Sequence, residues 1–137
     1  MTILYVAKSQ SLCKWGASVG VTKYLYKVGV TEDTAEAAVK ALNDTRHGGE
    51  TDWKLIKKQE AEGIDEAAAI GRLAARERMI DPAFYPKIKG ARGIFKVKIP
   101  NVEDQMLVSR AMEGAPTQQV KITPAEIAAY LLRNAVA

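Results

Sequence analysis

The 137-residue sequence contains one cysteine, Cys13, and one histidine, His47. A single thiol excludes an internal disulfide, and one Cys with one His falls short of the ligand set of a structural zinc site. Long apolar runs are also missing. Nothing approaches the ~20 residues that cross a bilayer, and the uncharged stretch Thr2 to Ala7 is shorter than a signal-peptide core. These absences argue against a membrane span and against secretion, and the expectation is a reducing cytoplasm. Aromatic residues make up 7% of the chain, but 47% is hydrophobic and 26% charged, the balance of an ordinary globular chain. The length predicts one domain, since single domains cluster near ~100 to 150 residues.

Acids are absent from two stretches. Residues 1–31 carry Lys8, Lys14, Lys23 and Lys27, and residues 82–98 carry Lys87, Lys89, Arg92, Lys96 and Lys98, with no Asp or Glu in either. Residues 32–66 hold ten acids, from Glu32 to Glu66, against five bases. The net charge of +4 is therefore segregated along the chain. If the two basic stretches meet in the fold, they make one face able to take a polyanion by counterion release; if they do not, they are solvated surface.

The residue pattern alternates strands and helices. Ile3, Leu4, Tyr5 and Val6 predict a strand over 2–8, followed by a polar Ser- and Gly-containing loop through Gly20. In Lys23 to Val30, Tyr24, Tyr26, Val28 and Val30 alternate with Leu25, Lys27 and Gly29, so one face of a second strand is apolar and the other sets a lysine beside a glycine. Asp33 and Glu36 resemble a capping box ahead of a helix carrying Ala35, Ala38, Val39 and Leu42. After the turn at His47 to Gly49, Thr51 to Gln59 reads as an exposed or edge strand around Trp53. Ile64 to Met79 reads as a helix, then a Pro- and Gly-punctuated loop, then a strand over Ile94 to Ile99. A helix over Val102 to Glu113, capped by Asn101, has Val102, Met106, Leu107 and Met112 on its inner face. A short strand is expected over 118–122, then a last helix opening with Thr123 as cap, Pro124 and Glu126. The expected class is α+β, with a small mixed central sheet flanked by helices. Residues 1–100 form the core, and 101–137 form a helical extension packed on the same domain.

The segments Ile3 to Tyr5 (ILY), Tyr26 to Thr31 (YKVGVT) and Gly93 to Val97 (GIFKV), in this order with helix, Trp-bearing strand and helix between, resemble the GIY-YIG endonuclease superfamily. The likeness is strongest to its phage-associated branch, where the first helix closes in Leu-Asn, here Leu42 and Asn43. It spans about residues 2 to 98. It implies hydrolysis of a nucleic-acid phosphodiester, of DNA ahead of RNA, at a single Mg²⁺ or Mn²⁺. It further implies that Tyr5 orients or deprotonates water, that Tyr26 and Lys27 stand at the second motif, and that Glu66 holds the metal. The family's helix arginine falls on Ala38, which carries no charge, so the resemblance implies a substituted or degraded site. Lys27, Arg46 and Arg72 are candidate replacement cations, whereas Lys40 points away around the helix. Phosphate contacts are expected from Lys8, Lys14, Lys23, Arg72, Lys87, Lys89, Arg92, Lys96 and Lys98.

Each residue also has a plainer reading. Glu66 suits the first turn of any helix through the dipole, Tyr5 suits a packed strand, His47 suits a surface turn, and Cys13 has no neighbouring base in sequence. A rival function is that of a phage or mobile-element factor that inhibits a host protein, presenting Glu32, Asp33, Glu36, Asp44, Glu50 and Asp52 to a basic groove. An unrelated α+β domain is the third reading.

Overall fold

The computed structural model describes residues 2–20, 24–80, 93–112, 114 and 122–136. Lys23, Lys87, Lys89 and Arg92, with residues 118–121 of the expected short strand, lie outside the described residues. Five strands, β1 (Ile3–Ser9), β2 (Leu25–Thr31), β3 (Trp53–Glu60), β4 (Arg78–Met79) and β5 (Ile94–Lys96), form one sheet in the order β3-β1-β2-β5-β4. The helices are α1 (Gln10–Ser18), α2 (Ala35–Asp44), α3 (Glu66–Ala74), α4 (Ile99–Met112) and α5 (Pro124–Val136). The class is α+β. All four strand pairings are antiparallel, so the sheet is not mixed.

Helix α1 replaces the loop expected after β1. Ser9 caps it, its Oγ accepting from Leu12 N at 3.1 Å. Leu12, Cys13 and Gly16 turn inward, so the serine and glycine that suggest a loop are a cap and a close-packed position. Helix α2 is capped by Thr34 rather than Asp33: Thr34 Oγ1 accepts from Ala37 N at 3.1 Å. The Asp33 carboxylate holds Thr34 N at 2.7 Å instead, and Glu36 closes no capping box because it pairs with Lys58 at 2.7 Å. Helix α3 is shorter than expected. Asp65 caps it, and after Ala74 the chain turns so that Arg78 and Met79 pair with Lys96 and Phe95 across the sheet edge. Pairing with β5 outweighs the helix propensity of that segment.

Alternation along the strands divides the interior in two. Leu4 and Val6 of β1, Tyr26 and Val28 of β2 and Phe95 of β5 face one side, where Ala69, Ile70 and Leu73 of α3 and Ile127, Leu131 and Leu132 of α5 cover them. Tyr5, Ala7, Leu25 and Ile94 face the other, under Leu12 and Cys13 of α1 and Ala35, Val39 and Leu42 of α2. β3 is an edge strand, as its lysines suggest, with Lys57 and Lys58 exposed. Its first residue, Trp53, is nevertheless buried. The Asn43 side chain fixes it, accepting from Trp53 N at 2.7 Å and donating to Trp53 O at 3.1 Å. The Trp53 ring N–H donates to His47 O at 2.8 Å, which gives the His47–Gly49 turn a packing role.

Helix α4 begins at Ile99, ahead of the expected Asn101 cap. The buried Glu77 carboxylate accepts from Lys98 N and from Asn101 Nδ2, both at 3.0 Å, and from the Tyr130 hydroxyl at 2.8 Å. One acid thus caps α4 and ties it to α5. Burial and this carboxylate push the Tyr130 phenol well above its usual range. Val102 is buried and Met106 packs on the core, but Met112, expected inside, is 82% exposed.

Candidate functional site

The first two strands place Tyr5 opposite Gly29 and Ala7 opposite Lys27. Tyr5 and Lys27 are therefore diagonal neighbours on the second face, the one with the smaller core. Both positions depend on glycines. A Cβ at Gly29 would lie 2.6 Å from Tyr5 Cζ, so the phenol ring rests directly on the β2 backbone. A Cβ at Gly93 would lie 2.7 Å from Lys27 Nζ, and Gly93 has φ +84°, a conformation that favours glycine. The ammonium group fits in the space that Gly93 leaves open, as the phenol does at Gly29.

Lys27 is buried, and its Nζ lies 4.0 Å from Glu66 Oε1 in the first turn of α3. The Glu66 side chain is half exposed, so the pair joins a desolvated cation to a carboxylate that still meets water. Burial pushes the Tyr5 phenol up to about 12, and the negative charge of Glu66 adds to the rise. Tyr5 is therefore protonated at neutral pH and can donate a hydrogen bond; it is not poised as a base. Tyr5, Lys27 and Glu66 thus stand near one another.

Other candidates separate from this group. Tyr26 lies on the opposite side of β2, 1% exposed within the main core, and burial raises its phenol well above the usual range. Ala38 is half-buried against the smaller core, packing as a small apolar residue. Among the replacement cations, Arg72 donates from Nη1 to Ala135 O at 2.8 Å and so caps α5. Arg46 is exposed in the turn after α2 at φ 52°, and Lys40 pairs with Asp44 at 3.8 Å on the outer surface. Lys27 is the candidate that faces Glu66. Cys13 is buried, its Sγ donating to Leu25 O at 3.4 Å, and burial raises its thiol, which fits an inert role.

Of the expected phosphate contacts, Lys96 pairs with Leu25 and stands directly opposite Arg78, on the same face as Lys27. Its sequence context places Arg78 in a helix, and only strand register brings it here. Lys98 is exposed at the start of α4. Lys8 lies on the main-core face, its Nζ 5.8 Å from the centre of the Tyr26 ring, and it shares a cavity there with Lys14. The two basic stretches meet only in part among the described residues: Lys27 of the first and Lys96 of the second share one face, with Arg78 from outside both, whereas Lys8 stands on the other face.

No cluster of three or more His, Cys, Asp or Glu side chains able to hold a metal occurs among the described residues. Glu66 alone still fits Mg²⁺ or Mn²⁺ chemistry of the kind in which one or two carboxylates, water and substrate phosphate complete the shell. Compared with family models, curated proteins and solved structures, the chain matches none.

Proposed function

We propose that this is a nucleic-acid-binding protein of GIY-YIG-like design whose second sheet face holds a substituted phosphodiester-hydrolysing site. The carrying observation is the Lys27–Glu66 pair at 4.0 Å on the face that also bears the Tyr5 phenol. A half-exposed carboxylate, a buried ammonium and a protonated phenol supply a metal ligand, a cation for the phosphate and a hydrogen-bond donor. Lys27 takes the role of the arginine missing at Ala38. Arg78 and Lys96 extend the positive charge along the same face, and they set the path of the backbone without reading sequence. A bound Mg²⁺ or Mn²⁺ at Glu66 would polarise a phosphate oxygen or water; Tyr5 would orient the attacking water, and Lys27 would steady the charge that develops on phosphorus oxygens.

The described residues include no helix long and apolar enough to cross a membrane, and the unpaired Cys13 suits a reducing cytoplasm. A nicking assay with Mg²⁺ or Mn²⁺ on plasmid and single-stranded DNA tests the reading. Tyr5→Phe, Lys27→Met and Glu66→Gln should each lower cleavage on the order of 10²-fold while melting curves stay cooperative. Salt-sensitive binding without cleavage would leave a binding protein with a degraded site, and cleavage unchanged in all three variants would end the proposal. The rival reading as an inhibitor of a host protein has less support. Glu36 pairs with Lys58, Asp44 with Lys40, Asp33 holds Thr34 N, and Asp52 is held by the Ser9 hydroxyl and by Ser11, so four of the six acids it needs are already engaged.

A further inference from the structure

A second pair of facing like charges lies on the other side of the sheet. Lys8 of β1 and Lys54 of β3 are direct cross-strand partners, and Lys8 shares the main-core face with Tyr26. Like charges directly opposite each other in an antiparallel pair destabilise it, and an anion bound between them would relieve that repulsion. Neither lysine has a salt-bridge partner among the described residues. The nearest acid on this wall is Asp52. Its carboxylate is held by the Ser9 hydroxyl, by Ser11 N at 3.0 Å and by Ser11 Oγ at 2.9 Å. These bonds outweigh the effect of burial and keep Asp52 below its usual range, so it stays charged but turned toward the start of α1.

Two cavities meet at this lysine pair. One, of about 580 Å³, is lined by Lys8, Gln10, Lys14, Tyr24 and the first turn of α5 at Pro124. The other, of about 310 Å³, continues past Lys8, Gln10 and Pro124 to Lys54. Three ammonium groups, an amide and a phenol therefore line one continuous track, with an aromatic ring under the middle ammonium. The N-terminal end of α5 adds partial positive charge to the same wall.

We infer that this track is a phosphate-binding groove for a single nucleic-acid strand, separate from the Tyr5 site, in which Lys8, Lys14 and Lys54 each meet one phosphate. The shared chemistry is a phosphate ester, so a free nucleotide is the competing source. The inference deepens the nucleic-acid reading, but it does not depend on cleavage at the opposite face.

The test is titration of the full chain with a short fluorescent oligothymidylate and, in parallel, with thymidine monophosphate, following backbone amide shifts. Three phosphate contacts to a single strand give a salt slope near ~2, or about 20-fold weaker binding between about 50 and 200 mM salt. The triple variant Lys8→Met, Lys14→Met, Lys54→Met should lose at least about tenfold in oligonucleotide affinity and flatten that slope. Lys40→Met, on the outer surface of α2 beside Asp44, should leave both unchanged, and because the titration reads binding and not cleavage, failure here is distinct from failure of the Tyr5 site. Lys54→Met alone should raise the melting temperature by relieving the repulsion, so lost binding could not be ascribed to unfolding. Unchanged oligonucleotide affinity in the triple variant overturns the groove. Shifts at Gln10 with the monophosphate and none with the oligonucleotide overturn the strand in favour of a free nucleotide.

Discussion

The two sides of the sheet are built from the same strands and differ in what interrupts them. On the α3 and α5 side, Leu4, Val6, Tyr26, Val28 and Phe95 form an apolar surface, and charge enters at its margins, with Lys8 and Lys54 at one end and Glu77 bonded to Tyr130. On the α1 and α2 side, the apolar surface is broken in its middle by Tyr5, Lys27 and Gly29. A polar group at the end of a core can be solvated with little loss. One in the middle must be desolvated, so it is retained at a cost in stability. One side holds the larger core, and the other carries Tyr5 and Lys27 within the smaller one.

Substitutions can break that contrast at decreasing amplitude. Phe95→Ala, on the apolar side, should cost about 3–5 kcal/mol in chemical denaturation, as expected for a fully buried ring. A loss under about 1 kcal/mol would mean that this side is not the main source of stability. Gly29→Ala should cost about 1–3 kcal/mol, because the new methyl meets the Tyr5 ring. In a double-mutant cycle with Tyr5→Ala the penalty should largely vanish, and additive losses would show that the ring does not rest on Gly29. Lys27→Met should have the smallest effect and the opposite sign, leaving stability unchanged or raised by up to ~1 kcal/mol. It removes a desolvated charge, and the half-exposed Glu66 can turn to water. A clear loss of stability would make Lys27 a structural residue.

Much of this was legible in the sequence because it rests on local pattern. The alternation in Leu25 to Val30 already assigns Lys27 and Gly29 to one side and Tyr26 and Val28 to the other, and the Thr123 cap is where it should be, accepting from Glu126 N at 3.3 Å. Tyr26 enters the site only through the resemblance, whereas the same alternation sends it to the face opposite Lys27. What was not legible depends on partners distant along the chain. Ser9 and Gly16 suggest a loop until α1 has a core to pack on. Arg78 belongs to a helix by propensity until β5 offers an edge. Arg72 looks like a free cation until the end of α5 comes within reach. Lys54 was one base in an acidic segment, and only the register with β1 sets it against Lys8.

The Glu77 junction also bears on how the molecule can be divided. The resemblance ends near residue 98, which invites trimming the protein to that point, yet Tyr130, Asn101 and the amide of Lys98 all converge on one acid within the earlier part. Removing the last two helices would strip this acid of its phenol and amide partners and uncover Leu4, Val6 and Phe95 together. The C-terminal quarter is a wall of the building, not an annex, and any shortened version would be expected to aggregate before it could be assayed.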